Sequence, residues 1–148
     1  MEYKLRKVCK DDKDLLFKWA NDTQCRKNSF HQDVISYEEH CDWFATKLAD
    51  EMCDMYIYCE QGLPIGQIRI DWDKNLGCIS YFVIRGYRGQ GHGSNMLKLV
   101  EHEMTGKGKR LTGCVKQDNI ASQIAFKKNG FNETEEDGYY RYDKIIEE

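Results

Sequence analysis

Residues 78–104 constrain this chain more than any other stretch. An apolar run over residues 78–84 leads into Tyr87-Arg88-Gly89-Gln90-Gly91-His92-Gly93-Ser94. Met96, Leu97, Leu99, Val100 and Met104 then recur at helical spacing. Such a pattern predicts a strand, a glycine-rich bend and a helix start. With no Cβ at positions 89, 91 and 93, backbone N–H groups can converge on one point and let a bulky anion come close. The free amides of the helix's first turn and its dipole add to that site. The natural guest is a diphosphate.

The residues that are missing narrow the choice. A Walker loop beginning at Gly86 needs Lys at 92 and Ser or Thr at 93, where the chain has His92 and Gly93. A dinucleotide fingerprint fails too, because its last glycine falls on Ser94 or on Met96. What fits is Arg-x-x-Gly-x-Gly, from Arg88 to Gly93, after an apolar strand and Tyr87. This resembles the pyrophosphate loop of the GNAT N-acetyltransferase superfamily, which holds acetyl-coenzyme A. A second segment strengthens the resemblance: Asn119, Ser122 three residues on, Phe126 four further, then Gly130-Phe131. A helix over residues 119–129 places Asn119, Ser122 and Phe126 on one stripe. Ile120 and Ile124 are then expected to face the core, and Gly130 ends the helix.

A length of 148 residues suits one domain with a full core, and a single acetyltransferase domain is expected over residues 1–148. A formal net charge of −3 with interspersed signs builds no basic field, so nucleic acid is not an expected partner. Lys107, Lys109 and Arg110 form the densest basic patch, read as a solvated helix end. No apolar run nears the ~18 residues of a membrane helix. Residues 1–5 carry no signal-peptide core, so a soluble, cytoplasmic protein with no membrane partner is expected. The seven cysteines are odd in number and lack both a C-x-x-C pair and neighbouring histidines. Neither metal nor disulfides are expected, and most cysteines read as small buried side chains. No pattern calls for an oligomer.

The expected elements run along the chain in turn. Residues 3–8 alternate as a strand. Asp11 opens a short helix with Leu15, Leu16, Trp19 and Ala20 on one face. Ser36 and Glu39 form a capping box for a helix to Ala49, whose core stripe is Cys41, Phe44, Ala45 and Leu48. Strands follow over 52–59 and 65–72 about a Gln61-Gly62-Leu63-Pro64 turn, then over 76–84 and 111–115. Asp137-Gly138 turns between strands 131–135 and 139–145. The order β-α-α-β-β-β-α-β-α-β-β and the resemblance together imply the GNAT fold. That is an α/β (α+β) fold: one mixed, twisted sheet of about seven strands with helices on both faces.

The resemblance also implies acetyl transfer from acetyl-coenzyme A to a primary amine, with the two held side by side. Backbone at Phe82, Val83 and Ile84 is expected to bond the pantetheine arm and polarise the acetyl carbonyl. Arg88, Gly89, Gln90, Gly91, His92, Gly93 and Ser94 are expected to hold the diphosphate, and Asn119, Ser122 and Phe126 to flank the cofactor. Where the family often has a tyrosine acid, this chain has Phe126. Phe126 is therefore expected to stack on the cofactor arm while Ser122 or a water assists the leaving thiol. For the base, His31, His40, Asp71 and Tyr81 remain open. His40 and Trp43 read either as lining an acceptor cleft or as a surface pair.

Several N-terminal motifs resemble a narrower branch that acetylates nucleotide-linked amino sugars, as in the pseudaminic acid pathway. They are Trp19-Ala-Asn-Asp, Arg26-Lys-Asn-Ser29-Phe, His40-x-x-Trp43 and Arg69-x-Asp71. Arg26, Lys27, Ser29 and Arg69 would bind a diphosphate and hydroxyls, while Trp43 or Phe30 would stack on a ring. A solvated loop explains Arg26-Lys27 equally well. Acetyltransferases of ribosomal-protein N-termini share a similar pattern, and a coenzyme A-binding module without catalysis is the third reading.

Overall fold

The computed structural model describes residues 2–147. Seven strands, β1 (Tyr3–Lys7), β2 (Cys53–Glu60), β3 (Leu63–Asp73), β4 (Leu76–Val83), β5 (Arg110–Lys116), β6 (Asn132–Glu135) and β7 (Tyr139–Ile145), form one sheet. Its order is β1-β2-β3-β4-β5-β7-β6. β2 sends Tyr56 and Tyr58 to one face and Met55, Ile57 and Cys59 to the other. A strand buried on both sides requires two covering layers. Helices α1 (Lys13–Ala20) and α3 (Tyr37–Ala49) cover one face through Leu16, Trp19 and Phe44. Helices α4 (His92–Glu103) and α5 (Ile120–Lys128) cover the other through Met96, Leu97, Val100, Ala125 and Phe126. This is the expected mixed sheet between helical layers.

All neighbouring strands are antiparallel except β4 and β5. That parallel pair is joined at only three positions, Leu76 with Arg110, Gly77 with Leu111 and Cys78 with Thr112. Beyond them β4 stays with β3 to Val83, and β5 stays with β7 to Lys116. The sheet therefore opens into a wedge, and the site is built there.

Several local expectations are corrected. A six-residue helix, α2 (Thr23–Asn28), lies outside the expected elements; none of its residues is fully buried, so it leaves no apolar period in the sequence. The β2–β3 turn is tighter than expected: Gln61 and Gly62 take positive φ (47° and 85°), and Pro64 already lies in β3. On α3 the buried side chains are His40 and Phe44, while Leu48 is exposed. Ile120 and Ile124 are 56% and 50% exposed; α5 instead buries Gln123, Ala125 and Phe126. Only Cys59 among the seven cysteines is buried.

Candidate active site

Two adjoining cavities flank β4, the larger of them in the wedge. The larger, of about 890 Å³, is bounded by β4, the 86–91 loop, the start of α4, the end of β5 and α5. The smaller, of about 450 Å³, lies between β3 and β4 and the α1–α3 segment. Ser80, Tyr81, Phe82, Cys25, Ser29 and Arg69 line both, so the cavities meet across β4.

The loop has the form its glycines suggested. Gly89 and Gly91 take φ of 74° and 85°, and a Cβ at either would meet nothing within 4 Å. Gly91 caps α4. The amides of Gly89, Gln90, Gly91, His92, Gly93 and Ser94 have no backbone acceptor among the described residues. A concave row of free amides at the end of a twelve-residue helix fits a diphosphate. Gly93 is required for a different reason, since a Cβ there would lie 3.1 Å from the Tyr81 ring and hydroxyl.

Backbone alternation on β4 sorts the three positions expected to meet the cofactor arm. Ile84 donates its amide to Ile65 O on β3, and Phe82 O also faces β3, 2.7 Å from where a Gly66 Cβ would be. Tyr81 and Val83 therefore turn their backbone groups into the wedge. Of the expected trio, Val83 is the one so directed, and Ile84 is absent from the cavity wall.

Tyr81 occupies the junction. Its hydroxyl lies 2.6 Å from Ser122 Oγ. Burial pushes its pKa up to about 12, opposed by the Ser122 hydrogen bond. Asn119 caps α5 through its side-chain oxygen, accepting the Ser122 amide at 3.3 Å, and so positions that hydroxyl. Phe126 is 2% exposed, stacked on Tyr142 at 5.1 Å and edge-on to Phe131 at 5.0 Å. It is a core ring with one edge on the larger cavity, rather than a free stacking face.

The other candidates are placed as follows. The side chain of Arg88, on the wall of the larger cavity, donates to Val83 O (2.8 Å) and to Asp22 Oδ1 (2.8 Å). The ring of His92 is buried, with Nδ1 3.0 Å from Tyr58 OH, so only its backbone serves the loop. Gln90 donates to Gly86 O and is off the wall. Arg26, Ser29, His40, Trp43 and Arg69 all line the smaller cavity. Arg26 is engaged with the roof of that cavity, donating to His31 O (2.9 Å), Asp33 O (3.3 Å) and Ser29 Oγ (3.2 Å). Its Nε is buried without a partner among the described residues. Arg69 lies 5.2 Å from the Trp43 ring centroid and donates to Asp71.

His40 is 2% exposed, and its Nε2 lies 2.8 Å from Lys13 O. A carbonyl only accepts, so Nε2 carries the proton and Nδ1 is the basic nitrogen. Asp71 is bound by Lys47 and Arg69, both at 2.8 Å, and lines neither cavity. Burial opposes its charge, but these two cations hold its carboxyl below the ordinary value. Phe30, 61% exposed, belongs to the larger cavity and meets Tyr139 edge-on.

Sequence reasoning missed three residues. Asn21 clamps the cavity roof through two 2.8 Å bonds to Ile35, Asp22 caps α2, and Glu39 puts a carboxylate on the smaller cavity. Asn21 and Asp22 stood in the Trp19-Ala-Asn-Asp motif and Glu39 in the expected capping box, but nothing in the sequence gave them these contacts.

A profile of the acetyltransferase (GNAT) domain matches residues 3–132. The chain belongs to the GNAT acetyltransferase family. No curated protein matches it. Solved structures share its fold at low identity. The RimL ribosomal L7/L12 alpha-N-protein acetyltransferase in complex with coenzyme A is 19% identical, with a TM-score of 0.83 over 97% of this chain and 94% of that one. The spermidine N-acetyltransferase from Vibrio cholerae, in complex with coenzyme A and spermine, is 13% identical with a TM-score of 0.85, covering 97% and 95%. AAC(6')-Ib in complex with ribostamycin and coenzyme A is 15% identical with a TM-score of 0.83, covering 98% and 94%. This GNAT chain is thus an acetyl-coenzyme A-dependent acetyltransferase. Among its described residues no helix is long and apolar enough to cross a membrane, and no cluster is suited to a metal ion.

Proposed function

We propose that the chain transfers an acetyl group from acetyl-coenzyme A to a primary amine on a small anionic acceptor, a nucleotide-linked amino sugar. The observation that carries the reading is the junction of two cavities at Tyr81: one walled by free amides, the other by Arg26, Arg69 and Trp43. A volume of about 450 Å³ suits a small ligand, and the roof tied down by Asn21 and Arg26 supports such an acceptor over a long peptide. Arg69, stacked on Trp43, offers guanidinium N–H groups to a phosphate beside a flat face for a ring.

Acetyl-coenzyme A supplies the activated thioester; the chain supplies position and polarity. The amides of residues 89–94 anchor the diphosphate, and Val83 N–H faces the arm. His40, its tautomer set by Lys13 O, takes the amine proton on Nδ1. Two hydroxyls, Tyr81 and Ser122, share one hydrogen bond, which leaves one proton to donate outward. A phenol near pKa 12 holds its proton far more tightly than a thiol at about 8.5. Full transfer to the departing sulfur would be uphill by roughly 5 kcal/mol. Tyr81 therefore acts as a hydrogen-bond donor to developing negative charge, and the absent tyrosine at Phe126 is not replaced by another strong acid.

The test is a mass-spectrometric screen with acetyl-coenzyme A over amino-sugar nucleotides, polyamines, aminoglycosides and peptide N-termini. The reading expects the mass gain of one acetyl group in the first class. A gain confined to peptides would assign an N-terminal acetyltransferase. Coenzyme A binding without thiol release against every class would assign a binding module.

A further inference from the structure

Asp22 lines neither cavity, but its partners are wall residues of both. Asp22 Oδ1 accepts three hydrogen bonds: the amides of Gln24 (3.0 Å) and Cys25 (3.1 Å) at the start of α2, and Arg88 Nη2 (2.8 Å) from the glycine-rich segment. Arg88 in turn donates Nε to Val83 O and sits 5.3 Å from the Phe82 ring centroid. One arginine thus ties the end of β4 and the donor loop to the helix that carries Cys25 and Arg26, with Ser29 at its end, to the acceptor cavity.

Helix α2 depends on such ties. It has six residues, none fully buried, and Cys25 is its one side chain packed against the core, so the apolar packing that normally stabilises a helix is slight. Its other polar anchors include Ser29 Oγ donating to Cys25 O (2.7 Å), Lys116 Nζ and Gln32 Nε2 donating to Lys27 O (3.0 and 3.1 Å), and the Arg26 bonds to His31 O and Asp33 O. An element with few apolar contacts is among the first to open locally. Burial opposes charge on Asp22, yet Arg88 and the two amides hold its carboxyl below the ordinary value. Asp22 is therefore a carboxylate at neutral pH.

We propose that Asp22 is a positioning residue that couples the donor loop to the acceptor wall through Arg88. Ordering the loop around a diphosphate fixes Arg88, and Arg88 fixes α2 through Asp22, so donor occupancy organises the acceptor cavity. By linkage an acceptor held by α2 strengthens donor binding by the same factor. The proposal rests on the larger cavity being the coenzyme A site.

Hydrogen exchange over residues 22–30, in the whole protein with and without coenzyme A, tests it. In the wild type, coenzyme A slows exchange there by about fivefold or more, the lower end of ordinary coupling. Asp22→Asn keeps a side-chain oxygen for the Gln24 and Cys25 amides but removes the charge that holds Arg88. That variant should still bind coenzyme A and protect residues 86–94, while the change over 22–30 disappears. Unchanged exchange over 22–30 in a wild type that protects 86–94 overturns the coupling, as does an Asp22→Asn protein that retains the effect. No protection in either segment overturns the donor-site reading together with the coupling. The wild-type comparison decides even where the variant folds poorly.

Discussion

At the scale of single residues, Phe126 is packed into the core while Tyr81 meets the cavity. The tip of the Phe126 ring faces Gly113 on β5, where a Cβ would come within 2.4 Å of Cζ. A hydroxyl on that tip has nowhere to go. Phe126→Tyr should therefore lower stability by about 1–3 kcal/mol through overpacking, with no gain in turnover. A denaturant midpoint and kcat measured on the same preparation decide it, and a faster enzyme would show that the wedge can accept the hydroxyl as an acid. Tyr81, facing the cavity, is where a phenol can act. Tyr81→Phe should reduce kcat by roughly 100-fold, the scale for losing one donor to developing charge, with coenzyme A affinity nearly unchanged. Ser122→Ala should cost less, because Tyr81 keeps its own proton. Equal turnover in wild type and Tyr81→Phe would remove the hydroxyl pair from the reaction. The sequence placed Tyr81 on the 76–84 strand among the candidate bases, but the contact that gives it a role spans 41 positions to Ser122 and leaves no local trace.

At the scale of elements, what was legible follows from how each element is stabilised. Helix α4 and the strands bury periodic apolar side chains, so their pattern is written in order along the chain. Helix α2 is held by a cap and by distant polar partners, and a period count passes over it. Ile120 and Ile124 were assigned to the core because they are apolar, yet they line the larger cavity. The β4–β5 wedge is a property of pairing between strands some thirty residues apart, so no residue of either announces it. The β1–α1 junction shows how a charge holds elements together. Arg6 grips Asp12 with two 2.9 Å bonds, and the Cys9 amide donates to the same carboxylate. The Arg6 bonds, aided by that amide and working against burial, hold the Asp12 carboxyl below its ordinary value. A depressed folded pKa stabilises the fold fully above the unfolded value of about 3.9, and the contribution fades as pH falls through the folded one. Asp12→Asn should thus cost about 1–3 kcal/mol at neutral pH, and the gap from wild type should narrow below roughly pH 4. Urea midpoints at several pH values check it; a gap that widens on acidification would refute the ion pair as the cause.

At the scale of the whole molecule, the sheet is two antiparallel pieces, β1 to β4 and β5 with β7 and β6, hinged on three parallel positions. Trp72 closes the base of the hinge: a Cβ on Gly77 or Gly108 would come within 2.8 or 2.2 Å of its indole, whose N–H donates to Asp54. Above that base the pieces face each other across the larger cavity, with Tyr81 and Val83 on one side and Val115 and Ser122 on the other. A ligand filling the wedge contacts both pieces and supplies the cross-strand contacts the sheet lacks there. Because it binds only the folded form, coenzyme A at about 100 times its dissociation constant should add ~2.7 kcal/mol. For a domain of this size that is a rise of roughly 5–10 °C in melting temperature. The rise should be matched by slower hydrogen exchange in β5 beyond Thr112 and in β4 beyond Cys78, where the ladder between them ends. Protection of the 86–94 loop without protection of those two strand ends would mean that coenzyme A binds at the rim, and that the wedge does not take the pantetheine arm.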